Sequence, residues 1–144
     1  MFILDSDVLT VLDGSRRNSN VSKWFDRRVD ETEIFISVIT IFEKAKNASY
    51  LARKGKANDA AKAEATINYL KTTFLNRILS LNGIAAEDWG RMIGTQDKHL
   101  LDTAIAAIAK QRNFHVVTRN ARHFVARGAT VTDPFHDPER VITP

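Results

Sequence analysis

Apolar residues fall along this chain in two patterns, short unbroken runs and longer stretches at helical spacing. Met1 to Leu4 is a run that stops at Asp5-Ser6-Asp7, which predicts a buried strand breaking into a turn or a helix start. Val8, Leu9 and Leu12 follow at helical spacing up to Gly14, and the polar, basic segment Ser15 to Asn20 reads as a loop. Val21 to Val29, with Trp24 and Phe25, has the pattern of a short helix. Ile34 to Ile39 is rich in β-branched and aromatic residues and predicts a second strand. A helix is expected over Thr40 to Arg53, with Ile41, Phe42, Ala45 and Ala48 on one side and Gly55 as its stop. Another is expected over Lys56 to Leu79, where Ile67, Leu70, Phe74 and Ile78 recur at i, i+3, i+7 and i+11.

Asn82-Gly83 reads as a turn, Ala86 to Ile93 as a short helix around Trp89, and Asp97 to Gln111 as a strongly apolar helix starting at Thr95 or Asp97. Phe114 to Thr118 is a third strand and Ala129 to Thr132 a short fourth, after which Asp133-Pro134 opens an irregular tail. Strands alternating with helices predict an α/β fold: one domain over residues 1–144, with a mainly parallel central sheet flanked by helices on both faces.

Composition narrows the chemistry. With 144 residues, 44% of them hydrophobic and 26% charged, the chain matches one ordinary globular domain that can build a core without staples. It has no cysteine, which removes thiol catalysis, Cys-ligated zinc and iron-sulfur clusters. The longest apolar stretches fall far short of the roughly 20 residues of a spanning helix, and the N-terminus lacks a secretory pattern. A cytoplasmic location with no membrane partner is therefore expected. A formal net charge of +4 leans toward polyanionic partners, though only weakly.

In sheets of this class ligands bind beyond the carboxyl ends of the strands. Asp5 ends the first strand, Glu43 follows the second by one turn, and Asn120 follows the third across Thr118-Arg119. Asp102 is placed differently, inside a helix among Ile105, Ala106 and Ala109, where a carboxylate needs a partner. Each has a structural alternative. Asp5 or Asp7 can cap the first helix, and Thr40-Ile41-Phe42-Glu43 matches a capping box in which Glu43 reaches back to the Thr40 amide. Asp102 lies too far past the expected helix start for capping and has a buried ion pair or an edge position as its alternative. Gathered at one site, several carboxylates stay ionised only with cations among them, and Mg²⁺ or Mn²⁺ suits oxygen ligands and phosphodiester hydrolysis. Arg119 and Arg122 follow the third strand and could hold a phosphate backbone. Arg16-Arg17, Arg27-Arg28 and Arg53-Lys54 read as solvated surface.

Four segments, taken together and in order, carry a resemblance: Phe2-Ile3-Leu4-Asp5-Ser6-Asp7-Val8-Leu9, Ile36-Ser37-Val38-Ile39-Thr40-Ile41-Phe42-Glu43, Asp102-Thr103-Ala104-Ile105-Ala106-Ala107-Ile108-Ala109, and Val116-Val117-Thr118-Arg119-Asn120. Over nearly its whole length the chain resembles a PIN-domain ribonuclease, most closely the VapC toxins of bacterial toxin-antitoxin pairs. The resemblance implies a metal-dependent endoribonuclease in which Asp5, Glu43 and Asp102 hold Mg²⁺ or Mn²⁺. It also implies a homodimer neutralised by a cognate VapB-type antitoxin. Trp24-Phe25 and the region Lys56 to Leu79 offer apolar area for such contacts, with core packing as the simpler account. Where that family often has an acid after the third strand, this chain has Asn120 and His123. Asn120 offers an uncharged carbonyl oxygen and so weaker metal binding, His123 is expected as a surface residue or phosphate contact, and Asp7 is expected to supply part of the missing charge. Two rival readings remain. One is a noncatalytic PIN-like module that binds RNA or protein; the other is a haloacid-dehalogenase-type phosphatase using Asp5-Ser6-Asp7, for which the chain offers no downstream Lys and acid set.

Overall fold

The computed structural model describes residues 1–28, 30–95 and 98–144, without the side chain of Arg28. Six strands, β1 (Phe2–Leu4), β2 (Ile34–Ser37), β3 (Ile78–Leu79), β4 (His115–Val117), β5 (Val131–Asp133) and β6 (Arg140–Ile142), form one sheet in the order β3-β2-β1-β4-β5-β6. All neighbours run parallel except β5 and β6, which are antiparallel. Among the described residues, seven α-helices surround it: α1 (Ser6–Leu12), α2 (Ser19–Arg28), α3 (Val38–Arg53), α4 (Ala57–Thr73), α5 (Gly83–Ile93), α6 (Leu100–Arg112) and α7 (Ala121–Val125). The expected α/β architecture is present.

Both sheet faces are buried, which is why the strands read as unbroken apolar runs and not as alternations. In β1, Ile3 enters a core built with α5, α6 and α7, while the next residue, Leu4, enters a second core with α1, α2 and α4. Val116 and Val117 repeat that split in β4, as the period-two geometry of a strand demands. Thr103 to Ala109 of α6 are all buried, and the run of small alanines lets this helix lie close to its neighbours. Trp24 is 1% exposed and belongs to the second core, so it is no contact surface.

Several boundaries move, each for a local reason. The second strand stops at Ser37 because the Ser37 hydroxyl caps α3, accepting from the Thr40 amide at 3.2 Å. The face of α4 is sound through Ile67, Leu70 and Phe74, but the helix ends at Thr73 and Ile78 belongs to β3. The Arg77 carbonyl accepts from the Ile36 amide at 3.0 Å, and the Arg77 guanidinium donates to the Ile34 carbonyl at 3.0 Å, drawing this segment to the edge of β2. Asn82 caps α5, accepting from the Ala85 amide at 3.0 Å, so the helix takes in Gly83. On α3 the buried residues are Ile39, Thr40 and Ala48, whereas Phe42 and Ala45 face solvent. The supposed irregular tail holds β6, which pairs antiparallel with β5 and forms that edge of the sheet. Val29 and Asp97, expected helix ends, lie outside the described residues. The last long helix begins only at Leu100, so Asp102 sits in its first turn and not deep within it. No helix among the described residues is long and apolar enough to cross a membrane.

Phe124 is fully buried between α7 and the sheet. Phe124→Ala is expected to destabilise the protein by about 3–5 kcal/mol, and Phe42→Ala, at an exposed position, by less than about 0.5 kcal/mol, both read from urea midpoints.

Candidate active site

The register of two strands builds the centre of the site. Leu4 pairs with Val117, the Asp5 amide then donates to the Val117 carbonyl at 3.0 Å, and the Thr118 amide donates to the Thr132 carbonyl at 3.1 Å. Asp5 and Thr118 therefore leave β1 and β4 side by side at the carboxyl edge. Strand order reverses at β1, so this is the crevice in which such sheets place ligands. Thr118 Oγ1 donates to Asp5 Oδ2 at 2.8 Å, and the Ser6 amide donates to Asp5 Oδ1 at 2.8 Å. Asp5, not Asp7, is the N-cap of α1. Asp7 lies in the first turn, where its Oδ2 accepts from the Arg119 amide at 3.0 Å, while its Oδ1 is buried with no hydrogen-bond partner among the described residues.

Glu43 arrives from α3. Because Ser37 holds the cap, the capping box does not form, and Glu43 Oε2 accepts from the Ser6 hydroxyl at 3.2 Å. Asp102 arrives from the first turn of α6, with its Oδ2 2.9 Å from His123 Nδ1 and 3.4 Å from His99 Nδ1. The two imidazoles lie against each other with centroids 3.9 Å apart and planes tilted by 37°.

Like charges make themselves felt across this group. Burial, then the neighbouring Asp7 and more weakly Asp102, push the Asp5 carboxyl up to about 7, against the hydrogen bonds from Thr118 and Ser6. Burial also pushes Asp7 up, and it pushes Glu43 up with the Asp102 charge adding to the effect. Acids from positions 5, 43 and 102 thus form one electrostatic unit. Oxygen donors that cannot all ionise comfortably alone suit a hard divalent cation, so the residues present fit Mg²⁺ or Mn²⁺.

The other expected site residues are less engaged. Asn120 is exposed, and its amide donates to Thr118 Oγ1 at 3.0 Å. Arg119 is exposed with its guanidinium 5.1 Å from the Phe135 ring centre, and exposed Arg122 donates to His123 Nε2 at 3.3 Å. His123 is corrected: its side chain is 19% exposed and packs on Asp102. Three participants went unnoticed in the sequence. Ser6 had the signal of standing between two acids, Thr118 closed a strand run, and His99 had only its i,i+3 spacing to Asp102. Asp5 is 8% exposed with both oxygens hydrogen-bonded, which does not meet the phosphatase's need for an accessible nucleophile.

The PIN domain family pattern matches residues 2–128. The chain is 29% identical over 140 residues to the plasmid stability protein StbB of Pseudomonas syringae pv. tomato, covering 94% of this chain and 99% of that one. It is 28% identical over 142 residues to toxin FitB of Neisseria gonorrhoeae, covering 95% and 100%. Among solved structures, that of FitAcB from Neisseria gonorrhoeae superposes with a TM-score of 0.75 at 26% identity, covering 94% of this chain and 99% of the other.

A carboxyl raised in the fold keeps its proton where the unfolded chain has lost it, so folding is favoured at low pH and that advantage disappears as pH rises through the folded value. For Asp5 the window runs from 3.8 to about 7, an effect on the order of 4 kcal/mol. Urea unfolding of metal-free protein is expected to show stability falling across that window. Asp5→Asn, which keeps an acceptor for the Ser6 amide, should flatten the fall; an unchanged slope would assign it to other groups.

Proposed function

The chain belongs to the PIN-domain family, and on that premise we propose that it is the toxin of a toxin-antitoxin pair and cuts RNA as a metal-dependent endoribonuclease. The observation that carries this reading is the electrostatic coupling of Asp102 to both Asp5 and Glu43 at the carboxyl edge of the sheet, where strand order reverses. The similarity to toxin FitB and the superposition on FitAcB support the toxin role.

Asp5, Glu43 and Asp102 would hold Mg²⁺ or Mn²⁺, with Asp7 and Asn120 as weaker contributors. When bound, the cation supplies positive charge that favours attack of water on a phosphodiester and offsets the charge developing on the phosphoryl group. The chain's own residues do the positioning. Thr118 and the Ser6 amide fix the Asp5 carboxylate, the Ser6 hydroxyl fixes Glu43, and His123 fixes Asp102. Arg119 and Arg122, exposed beside the crevice, offer cations to the RNA backbone. The partner is a VapB-type antitoxin, and the toxin acts as a homodimer.

A second reading, a noncatalytic RNA- or protein-binding module, is favoured by one observation, the uncharged Asn120 standing exposed at the end of β4. The two separate in a cleavage assay on total transfer RNA with EDTA, Mg²⁺ or Mn²⁺. Cleavage is expected only with metal and should fall on the order of 100-fold or more in Asp5→Asn, Glu43→Gln and Asp102→Asn. RNA binding without cleavage under every metal would establish the noncatalytic module instead. Asp7→Asn should weaken metal binding; unchanged affinity would remove Asp7 from the site.

A further inference from the structure

Asp102 turns one carboxylate oxygen toward two imidazoles that no sequence pattern links. Its Oδ2 lies 3.4 Å from His99 Nδ1 and 2.9 Å from His123 Nδ1. One donor atom from each of the three residues lies within 4.8 Å of the other two, a spacing at which a single ion can touch all three. All three side chains are half-buried and held from outside. His99 has a left-handed backbone with φ of 60°, and its carbonyl accepts from the Thr103 amide at 3.0 Å and hydroxyl at 2.8 Å. Arg127 donates to the Thr103 hydroxyl and, at 2.5 Å, to the His123 carbonyl, tying the start of α6 to α7. The rings are therefore set in place before any ligand arrives, which lowers the ordering cost of binding.

The donor type decides which ion fits. Mg²⁺ takes oxygen ligands and keeps much of its water, whereas imidazole nitrogen suits borderline first-row ions, and two histidines with one carboxylate leave positions open on such an ion. We propose that His99, Asp102 and His123 form a binding site for a first-row transition cation of the zinc and cobalt class, adjoining the Asp5 and Glu43 carboxylates and sharing Asp102 with them. The proposal rests on this donor geometry and not on RNA cleavage. Arg122 donates to His123 Nε2, which assigns that ring's proton to Nδ1, the atom facing Asp102. A cation taking Nδ1 displaces that proton into solvent.

The test uses the full chain stripped of metal. Zn²⁺ is added while the histidine ring nitrogens are followed by ¹⁵N NMR, and Co²⁺ and Mg²⁺ affinities are measured by calorimetry. Of the four histidines, His99 and His123 are expected to shift with Zn²⁺ while His115 and His136 stay fixed. In the double variant His99→Gln/His123→Gln, Co²⁺ should bind about 100-fold more weakly, a loss clearly larger than that of Mg²⁺, which loses only the positioning of Asp102 and no ligand atom. Asp5→Asn should retain Co²⁺ binding even if it abolishes RNA cleavage, which separates this site from the nuclease reading. Unshifted His99 and His123 signals in the wild type, a result that needs no variant to fold, would overturn the proposal. So would Co²⁺ affinity equal in the wild type and the double variant.

Discussion

Everything at the site depends on the parallel pairing of β1 with β4. With Leu4 set against Val117, Asp5 and Thr118 emerge in register, and the Thr118 hydroxyl reaches the Asp5 carboxylate at 2.8 Å. A slip of one residue would turn Ile3 and Leu4 to the wrong cores and carry Asp5 away from Thr118, so burial on both faces enforces the geometry of the site. The same threonine accepts from the Asn120 amide, and Arg119 beside it gives its amide to Asp7. One strand end thus organises both acids of the first segment.

Against that rigid base, the site stores unfavourable electrostatics. Asp5 is nearly buried beside Asp7 and within the field of Asp102, and its carboxyl is pushed up to about 7. Such an arrangement persists because two apolar cores, one on each sheet face, stabilise the framework around it. Asp7 Oδ1, buried without a hydrogen-bond partner among the described residues, belongs to the same account: a polar atom left unsatisfied beside the candidate site and offset by packing elsewhere.

Asp102 links two kinds of chemistry. On one side its charge acts on Asp5 and Glu43, which are oxygen donors; on the other its Oδ2 meets the adjoining rings of His99 and His123. Its place in the first turn of α6 makes this possible, because a residue there stands at the helix mouth, within reach of both β1 and α7. The first turn also favours a carboxylate through the helix dipole.

Much was determined by the sequence alone. Unbroken apolar runs marked β1, β2 and β4 as strands buried on both faces, helical spacing marked the packed faces of α4 and α6, and the segments that end in Asp5 and Glu43 singled out two acids that both feel the charge of Asp102. These are local signals, since periodicity records what each residue buries. The edge strands β3 and β6 were not legible, because two or three residues carry no periodicity and acquire strand character only by pairing with β2 and β5. Nor were the partners of the acids. Ser6 meets Glu43 across 37 positions and Thr118 meets Asp5 across 113, while His123 reaches back 21 positions to Asp102. Separations of that size are set by strand register and helix placement, so only the tertiary structure decided which side chains hold the carboxylates and which imidazoles stand beside them.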